Sequence, residues 1–171
     1  AEYRLIDKLG REDFLNSGIQ RANLSFDYIL IDCPPSLGIL TVNALKACRE
    51  VIITIQPHYF AMRGIEEFME TIGLMKENLK HDLEVYVLIT IADVRTNLYR
   101  EVVEEIKKYF GDHLFETVIH RNISLAEATS HGVPVMEYEP SSSGAQCYLN
   151  LAKEVIKLEE EKPGKRLLRK N

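Results

Sequence analysis

The sequence contains little cysteine, and its cysteines lack the spacing that a zinc site or a disulfide framework requires. Its 171 residues include three cysteines, an odd number, widely spaced and without a CxxC pair. The five histidines show no HExxH spacing. These absences exclude a disulfide-stabilised secreted domain and favour a chain from a reducing compartment, with no metal site built from clustered side chains.

Long hydrophobic runs are also absent. The apolar runs fall far short of the roughly 20 residues that a membrane-spanning helix needs, and no signal peptide is visible. Hydrophobic residues at 46% and charged residues at 27% are ordinary for a globular protein, and a chain of this length can bury a full core. The net charge of −5 argues against a uniformly basic surface but permits a local basic patch. We therefore expect a cytoplasmic protein of one domain, or most of one.

A glycine-rich phosphate loop of the form GxxxxGK[ST] is missing as well. Gly164 and Lys165 are followed by Arg166, and Glu159 stands where the first glycine of that motif would be. The sequence begins with Ala1 and enters directly on charged, helix-compatible residues. We expect from this that part of a longer protein lies upstream.

What the sequence does contain is four short apolar, β-branched runs separated by helical patterns. The runs are nearly continuous instead of alternating, which is typical of strands buried on both faces of a parallel sheet. They lie at residues 28–31, 51–55, 85–91 and 117–119. The alternation of strand and helix predicts an α/β fold, with a doubly wound, mostly parallel sheet and helices on both faces.

Four segments carry the apolar spacing of amphipathic helices. The positions that recur at helical spacing are Leu40, Asn43, Ala44, Ala47 and Cys48; Ile65, Phe68, Met69, Ile72, Met75 and Leu79; Val102, Val103, Ile106 and Phe110; and Tyr148, Leu149, Ala152, Val155 and Ile156. Gly111 stands where the third helix would have its C-cap. Residues 159–171 lose this periodicity, so we predict a disordered, charged tail after a domain that covers residues 1–158.

The segment FDYILIDCPPSLG, residues 26–38, ends an apolar run on Asp32. In open α/β sheets ligands bind beyond the carboxyl ends of the strands, and a carboxylate there can hold Mg²⁺ through water. Pro34 and Pro35 stop the strand and stiffen the loop, and Gly38 would allow a backbone amide to approach a phosphate. The alternative is that Asp32 merely caps the next helix.

Three stretches resemble one known family. FDYILIDCPPSLGILTVNAL is similar to the second nucleotide motif of the ParA/Soj partition ATPases, in the deviant-Walker group of P-loop NTPases that includes MinD. QPHYFAMRGI and DVRTNLYREVVEEIKKYFGDHLFETVIHRNISLAEATSHGVPV resemble later parts of the same family. The resemblance covers residues 1–158 and implies a P-loop NTPase fold, of which this chain is similar to the C-terminal portion, without the phosphate loop.

The resemblance implies a site for ATP and magnesium. Asp32 resembles the family's magnesium-side aspartate. The segment that senses the γ-phosphate corresponds to residues 33–38, with Cys33, Pro34, Pro35 and Gly38. Without the phosphate loop and its lysines, the resemblance places no catalytic residue in these 171 residues.

A second group of residues resembles the adenine-binding part of the family's site. Arg121 and Asn122 resemble the loop that packs on the base, with Thr90 and Asp93 on its other side. Base pockets need apolar walls and a few placed polar groups, which these residues can supply. From the residues alone, Arg121 is instead interpreted as a surface arginine that pairs with Glu127.

The family's function implies an ATP-dependent homodimer that binds DNA non-specifically. A ParB-like centromere-binding partner would stimulate its hydrolysis during plasmid or chromosome partitioning. The missing phosphate loop leaves an alternative, a non-catalytic ParA-like interaction module. A MinD-like membrane cycle is disfavoured, because the end of the chain offers only Leu167 and Leu168 as apolar anchors.

Three serines weaken the DNA-binding prediction. Ser124, Ser141 and Ser143 occupy positions where family members often carry arginines, and each lost phosphate contact flattens the salt dependence of binding by roughly 0.9. The candidate compensating cations are Lys107, Lys108, Lys162, Lys165, Arg166, Arg169 and Lys170. The tail cations alternatively form only a solvated end. His120 replaces the proline usual in the base loop, and its role stays open.

Overall fold

The computed structural model describes residues 9–23, 25–34, 36, 38–58, 61–79 and 81–160, without the side chains of 61–63, 75, 78 and 79. The chain divides into two compact units, each described by itself. One unit is Ala1–Val51 with Glu67–Val85, and the other is Ile52–Glu66 with Tyr86–Asn171. In the part of the chain that is described, no helix is long and apolar enough to cross a bilayer.

Helices predominate among the described residues. In chain order the elements are α1 Phe14–Ala22, α2 Ile39–Ala47, β1 Glu50–Ile55, α3 Ala61–Leu79, β2 Glu84–Ile89, α4 Asn97–Phe110, α5 Ile123–His131, α6 Val135–Tyr138 and α7 Ser143–Glu160. A 3-10 turn precedes α1 at Arg11–Asp13, and another follows α4 at Gly111–His113. The four predicted helices are confirmed as α2, α3, α4 and α7.

A buried asparagine joins α1 to α2 in the first unit. The Asn43 side chain donates to the carbonyls of Arg11 at 2.7 Å and Ile39 at 2.9 Å, and its oxygen accepts from the Leu15 backbone N–H at 3.1 Å. Only 4% of Asn43 is exposed, so these bonds satisfy a polar side chain that burial would otherwise penalise. The apolar neighbours Ala44 and Leu45 are buried beside it in sequence.

The sheet is parallel, as the sequence predicts. The Glu84 N–H donates to the Arg49 carbonyl and the Thr90 N–H to the Ile55 carbonyl, both at 2.8 Å. The two bonds join residues with the same sequence separation, so β1 and β2 run in the same direction. Parallel bridges from Val87 to Leu114 and from Ala92 to His120 place the segment after α4 beside β2. The predicted α/β fold with a parallel sheet is confirmed.

The core of the second unit is built around β2, which is buried on both faces. Tyr86 and Leu88 form a cluster with Phe115 and Ile119, and α7 packs against it. The alternate residues Val87 and Ile89 are 0% and 1% exposed. On α4 the buried residues follow one helical face, as predicted: Val102, Ile106 and Phe110. The continuous apolar run at residues 85–89 therefore reflects burial on both faces of a parallel strand.

Two of the four predicted strands, at residues 28–31 and 117–119, are wrong, because these residues do not form strands. Residues 28–31 lie outside any helix or strand, and Leu30 is 91% exposed. Residues 117–119 form no strand either, although isolated bridges flank them at Leu114 and His120. β-branched and apolar residues fit a pleated, buried surface. A strand also requires a neighbouring strand with which its backbone can pair. That neighbour is not specified by the local sequence.

Helix α7 presents a different face from the predicted one. The residues packed on the core are Leu151, Val155 and Leu158 with Cys147. Tyr148, Leu149 and Ile156, which the periodicity grouped with Ala152 and Val155, are 41%, 40% and 47% exposed. The helix runs to Glu160, two residues beyond the predicted domain end. Residues 161–171 lie outside the described residues, so the tail stays a prediction.

Candidate nucleotide-binding site

The predicted phosphate-side segment lies in the first unit. Asp32, Cys33 and Pro34 are exposed and outside helices and strands, and Pro35 is outside the described residues. The Cys33 thiol lies 3.8 Å from the Ile31 carbonyl oxygen. Partial desolvation and then the neighbouring Asp32 carboxylate raise the pKa of this thiol. A raised pKa disfavours the thiolate, the form in which a cysteine acts as a nucleophile.

Gly38 is the residue at which this segment enters α2. Its carbonyl accepts from the Val42 N–H at 3.1 Å, and the Thr41 hydroxyl donates to the Ser36 carbonyl at 2.6 Å. The Gly38 backbone has φ −81° and ψ −177°, which any residue can adopt. This backbone conformation therefore does not require glycine at position 38. The approach of the Gly38 amide to a phosphate stays a prediction.

The predicted base-side residues lie on two adjacent loops of the second unit. One loop follows β2, where Thr90 is half-buried and donates its N–H to Ile55. The other precedes α5. The Ala92 N–H donates to the Ile119 carbonyl at 3.1 Å, and the Arg121 N–H donates to the Ala92 carbonyl at 3.2 Å. The backbone thus holds the Thr90–Asp93 side and the Arg121–Asn122 side of the predicted site next to each other.

The first of these loops contains a strained residue. Ile91 has φ +50°, in the left-handed region that β-branched residues rarely adopt. Such a conformation costs on the order of 1–3 kcal/mol and persists only where surrounding contacts impose it. Here the contacts are the backbone bonds of Ala92 to the neighbouring loop. Strain of this kind is often found at ligand sites, which makes this loop a candidate binding element.

Asp93 is held as a carboxylate by an arginine two residues away. The Arg95 Nε donates to Asp93 Oδ1 at 2.8 Å and its terminal nitrogen to Oδ2 at 2.7 Å. Hydrogen bonds from Arg95 lower the pKa of Asp93 to about 2, and the charge of Arg121 contributes in the same direction. Glu127 instead accepts from the Tyr138 hydroxyl at 3.3 Å, and Arg121 and Glu127, both among the described residues, form no ion pair with each other.

Asn122 contacts the start of α7. Its Nδ2 donates to the Ser143 hydroxyl oxygen at 2.8 Å. Its Oδ1 is buried and has no hydrogen-bond partner among the described residues. A Cβ added at Gly144 would lie 2.8 Å from Leu125 Cγ and 3.0 Å from Asn122 Oδ1, so this approach requires glycine. An unpartnered buried acceptor beside a helix terminus is a feature that a bound ligand often explains.

Sequence reasoning missed three residues of this arrangement: Arg95, Ser143 and Gly144. The short Asp93–Arg95 separation was a usable signal, because two neighbouring opposite charges in a loop often pair. The contact of Asn122 with Ser143 joins residues 21 positions apart and had no local signal. Asp93, Arg121 and Asn122 are brought together in one unit, and Asp32, Cys33, Pro34 and Gly38 are described in the other.

The predicted DNA-binding lysines that can be assessed lie at the end of α4. Lys107 and Lys108 are exposed in its last turn. The Lys108 ammonium pairs with Glu105 Oε1 at 2.6 Å, which partly neutralises it. The remaining candidates, Lys162, Lys165, Arg166, Arg169 and Lys170, lie outside the described residues.

No cluster of three or more metal-ligating side chains occurs within the described ranges. On the phosphate side, the carboxylate among the described residues of 32–38 is that of Asp32, which is exposed. Magnesium usually keeps several waters and is bound through one or two carboxylates together with substrate phosphates. A lone aspartate is therefore compatible with a water-mediated ion beside a nucleotide, and unsuited to an all-protein metal site.

Comparison with known proteins identifies the family. A family model described as an AAA domain matches residues 1–85. The sporulation initiation inhibitor protein Soj of Bacillus subtilis is 47% identical over 156 residues, which are 91% of this chain and 62% of that protein. The chromosome-partitioning ATPase Soj of Treponema pallidum is 41% identical over 91% of this chain and 62% of that protein. The chain belongs to the ParA/Soj family. It spans about 60% of the length of these ParA/Soj relatives.

Solved structures support the same fold. Cobyrinic acid a,c-diamide synthase from Mycobacterium smegmatis, with bound ADP and magnesium, aligns with a TM-score of 0.72 and 28% identity, over 93% of this chain and 58% of that chain. A putative plasmid partition protein from Borrelia burgdorferi, bound to AMPPNP, aligns with a TM-score of 0.73 and 20% identity, over 89% and 59%. The latter likeness concerns the fold alone.

Proposed function

We propose that this chain is the base-binding and magnesium-side part of a ParA/Soj-type partitioning ATPase. The observation that supports it is the pair of backbone-bonded loops that bring Asp93, Arg121 and Asn122 together in one unit. The relatives are named as partitioning ATPases, and a structural neighbour at 28% identity binds ADP and magnesium. In this proposal Thr90, Asp93, Arg121 and Asn122 contact the adenine base.

The phosphate side of the proposal rests on fewer contacts. Asp32 would hold magnesium through water, and residues 33–38 would follow the state of the γ-phosphate. When bound, the ion would neutralise phosphate charge. The 171 residues contain no phosphate loop and no signature lysines. We therefore propose that hydrolysis requires a phosphate-binding element that these residues do not supply, and that the chain alone shows no magnesium-dependent phosphate release.

Nucleotide binding to the full chain tests the base-binding role. We expect isothermal titration to show that ATP and AMP bind with affinities within a few-fold of each other, because the chain contributes contacts to the base. Replacing Arg121 by alanine is expected to weaken both roughly tenfold, the effect of one lost contact to a charged group. Arg100→Ala, at an exposed position of α4, is the matched control and should leave binding unchanged.

Three outcomes contradict this proposal. A chain that binds neither nucleotide has no base site, and the non-catalytic interaction module then becomes the better explanation of the missing phosphate loop. Binding that Arg121→Ala and Arg100→Ala weaken equally would show that charge in general, and not the base loop, attracts the nucleotide. Magnesium-dependent phosphate release by the chain would contradict the division of roles between this chain and a separate phosphate-binding element.

The finer family functions are proposed on the same basis. They are an ATP-dependent homodimer, non-specific DNA binding and stimulation by a ParB-like partner in the cytoplasm. Among the described cations, Lys107 is the better DNA-contact candidate, because the charge of Lys108 is paired with Glu105. Lys107→Ala should reduce the slope of log affinity against log salt by about 0.9, and Lys108→Ala by less. Equal slopes for both variants and the wild type would remove α4 from the DNA contact.

A further inference from the structure

Residues 115–119 are the outermost backbone segment on one side of β2. The Phe115 N–H donates to the Val87 carbonyl at 2.9 Å, and the Ile119 N–H donates to the Ile89 carbonyl at 3.0 Å. β1 bonds at positions 84 and 90, whose backbone groups face the opposite way, so it lies on the other side of β2. Within the described ranges, this segment is therefore an outer edge of the sheet.

This edge contains a bulge. Phe115 and Ile119 are four positions apart, whereas the two carbonyls to which they donate are two positions apart, so the segment carries two extra residues. Glu116, Thr117 and Val118 form no backbone–backbone hydrogen bond with any other described residue. The N–H groups of the bulge are therefore available to a partner outside the sheet.

The segment also has the composition of a strand that pairs readily. Thr117, Val118 and Ile119 are β-branched in succession, and the segment contains no proline. An edge that presents N–H groups is a template on which a strand of another molecule can add. Globular proteins protect such edges with a bulge, a charge, a proline or a covering element. Since the bulge leaves donors at this edge, a second protecting feature is expected there.

Glu154 on α7 covers these donors. Its Oε1 accepts from the Glu116 N–H at 2.6 Å, and its Oε2 accepts from the Thr117 N–H at 3.0 Å. Hydrogen bonds to an ionised acceptor are roughly twice as strong as those between neutral groups. The helix that carries Glu154 is fixed, because Leu151 and Val155 pack on the core cluster. The carboxylate therefore occupies the place where the carbonyls of an added strand would bond.

We propose that Glu154 is an edge-protecting residue that prevents residues 115–119 from pairing with the same segment of a second copy of this chain. A second copy fits this edge, because two copies of one segment are self-complementary in an antiparallel pair. A carboxylate contains acceptors alone, so it satisfies the two donors and offers no donor to an incoming strand. This inference does not depend on the proposed nucleotide-binding function.

Self-association is the first test. Sedimentation velocity of the full chain, without nucleotide, measures the association constants of the wild type, Glu154→Ala and Glu160→Ala. Glu160 is an exposed glutamate at the end of the same helix and serves as the matched control. We expect Glu154→Ala to raise the association constant about tenfold or more, because each uncovered N–H can bond a carbonyl of the second copy. Glu160→Ala should associate as the wild type does.

Two further variants separate edge pairing from aggregation of an unstable chain. Ile106→Ala removes a fully buried side chain of α4 and lowers stability while it retains Glu154, so it should not raise the association constant. Glu154→Gln keeps the shape of the side chain and one oxygen acceptor, so its association constant should lie between those of the wild type and Glu154→Ala. It carries the test if Glu154→Ala does not fold.

A charge placed on the edge should reverse the effect. In the Glu154→Ala background, Thr117→Lys adds a cation to the bulge, and lysines on edge strands oppose pairing. We expect this double variant to return to the wild-type association constant. Ser130→Lys, at an exposed position of α5, adds the same charge elsewhere and should leave the association of Glu154→Ala unchanged.

Amide hydrogen exchange, measured by NMR, locates the contact. In dilute Glu154→Ala the Glu116 and Thr117 amides should exchange about tenfold or more faster than in the wild type, because they have lost their acceptor. At high protein concentration, pairing should protect them again. The Phe115 amide, which is bonded to Val87, is the internal reference and should change little.

These measurements can overturn the proposal in three ways. Unchanged exchange at Glu116 and Thr117 in Glu154→Ala would show that the carboxylate does not cover the edge. Folded Glu154 variants that associate no more strongly than the wild type would show that the edge does not pair. A rise in association that Ile106→Ala shares, or that Thr117→Lys and Ser130→Lys reduce equally, would assign it to unfolding or to another surface.

Discussion

The two predicted parts of the nucleotide site differ in how firmly the described residues hold them. Around Asp32 the chain is exposed and lies outside helices and strands, with Leu30 91% exposed. Around Asn122 the loops bond to each other through Ala92 and Ile119, and Ile119 is 1% exposed. Among the described residues, those around Asp32 in the conspicuous motif are thus more exposed than the residues that hold the inconspicuous loops.

This difference shows that motif strength and local order are separate properties. The aspartate–proline–proline–glycine pattern is recognisable because its chemistry needs those residue types in that order. The base loops owe their order to partners from other elements, such as Ser143 for Asn122. A ligand site can therefore be easy to recognise in sequence and still depend on contacts that the sequence pattern does not name.

The largest expected effect comes from truncating the buried residue beneath the base loops. Ile119→Ala removes a side chain of the core cluster and should lower the free energy of unfolding by about 2–5 kcal/mol. Leu30→Ala in the other region removes a side chain that is 91% exposed and should change it by less than about 0.5 kcal/mol. Urea denaturation measures the free energy of unfolding of both variants. Equal losses of stability would contradict the difference between the two regions.

A smaller loss is expected where Gly144 meets Asn122. The Cβ of Gly144→Ala would lie 2.8 Å from Leu125 Cγ, and the overlap should cost about 1–3 kcal/mol. Gly73→Ala in α3 is the matched control, because its Cβ meets nothing within 4 Å. That substitution should raise the free energy of unfolding by about 0.5–1 kcal/mol. A stabilising Gly144→Ala would show that Asn122 is not held closely.

Glu154 on α7 supports the chain that leads into the base loops. Its carboxylate accepts from the backbone N–H groups of Glu116 at 2.6 Å and Thr117 at 3.0 Å. Glu154→Gln keeps the shape but loses the charge, so we expect a loss of about 1–2 kcal/mol in thermal or chemical denaturation. Glu160→Gln, at the exposed end of the same helix, should have little effect. Similar losses for both variants would assign the effect to helix charge.

The smallest effect concerns the ionisation of Asp93. Hydrogen bonds from Arg95 lower its pKa from 3.8 to about 2, so this contribution to stability is present above about pH 4 and is lost as pH falls through about 2. Arg95→Ala should raise the pKa of Asp93 towards 3.8, with Arg121 still lowering it slightly. An NMR titration of the Asp93 carboxyl carbon measures this. Arg100→Ala should leave the pKa unchanged, and a shift there would indicate a general charge effect.

Features with a local cause were predicted correctly from the sequence. The buried face of α4 follows from residues one helical turn apart, Val102, Ile106 and Phe110, and its end follows from Gly111, which has φ +52°. Features with a non-local cause were missed. Residues 28–31 have strand composition without forming a strand, and the buried face of α7 was misassigned because both of its faces carry apolar residues.

By itself, the sequence determined the α/β class, the four long helical patterns, the ParA/Soj family and the residues that resemble its nucleotide site. Only the tertiary structure decided that Ile91 is strained and that Asn122 donates to Ser143. The physical reason is the distance along the sequence between the residues that determine each feature. Helical periodicity and motif order depend on neighbours a few residues away, whereas hydrogen-bond partners and buried faces depend on which distant segments pack together.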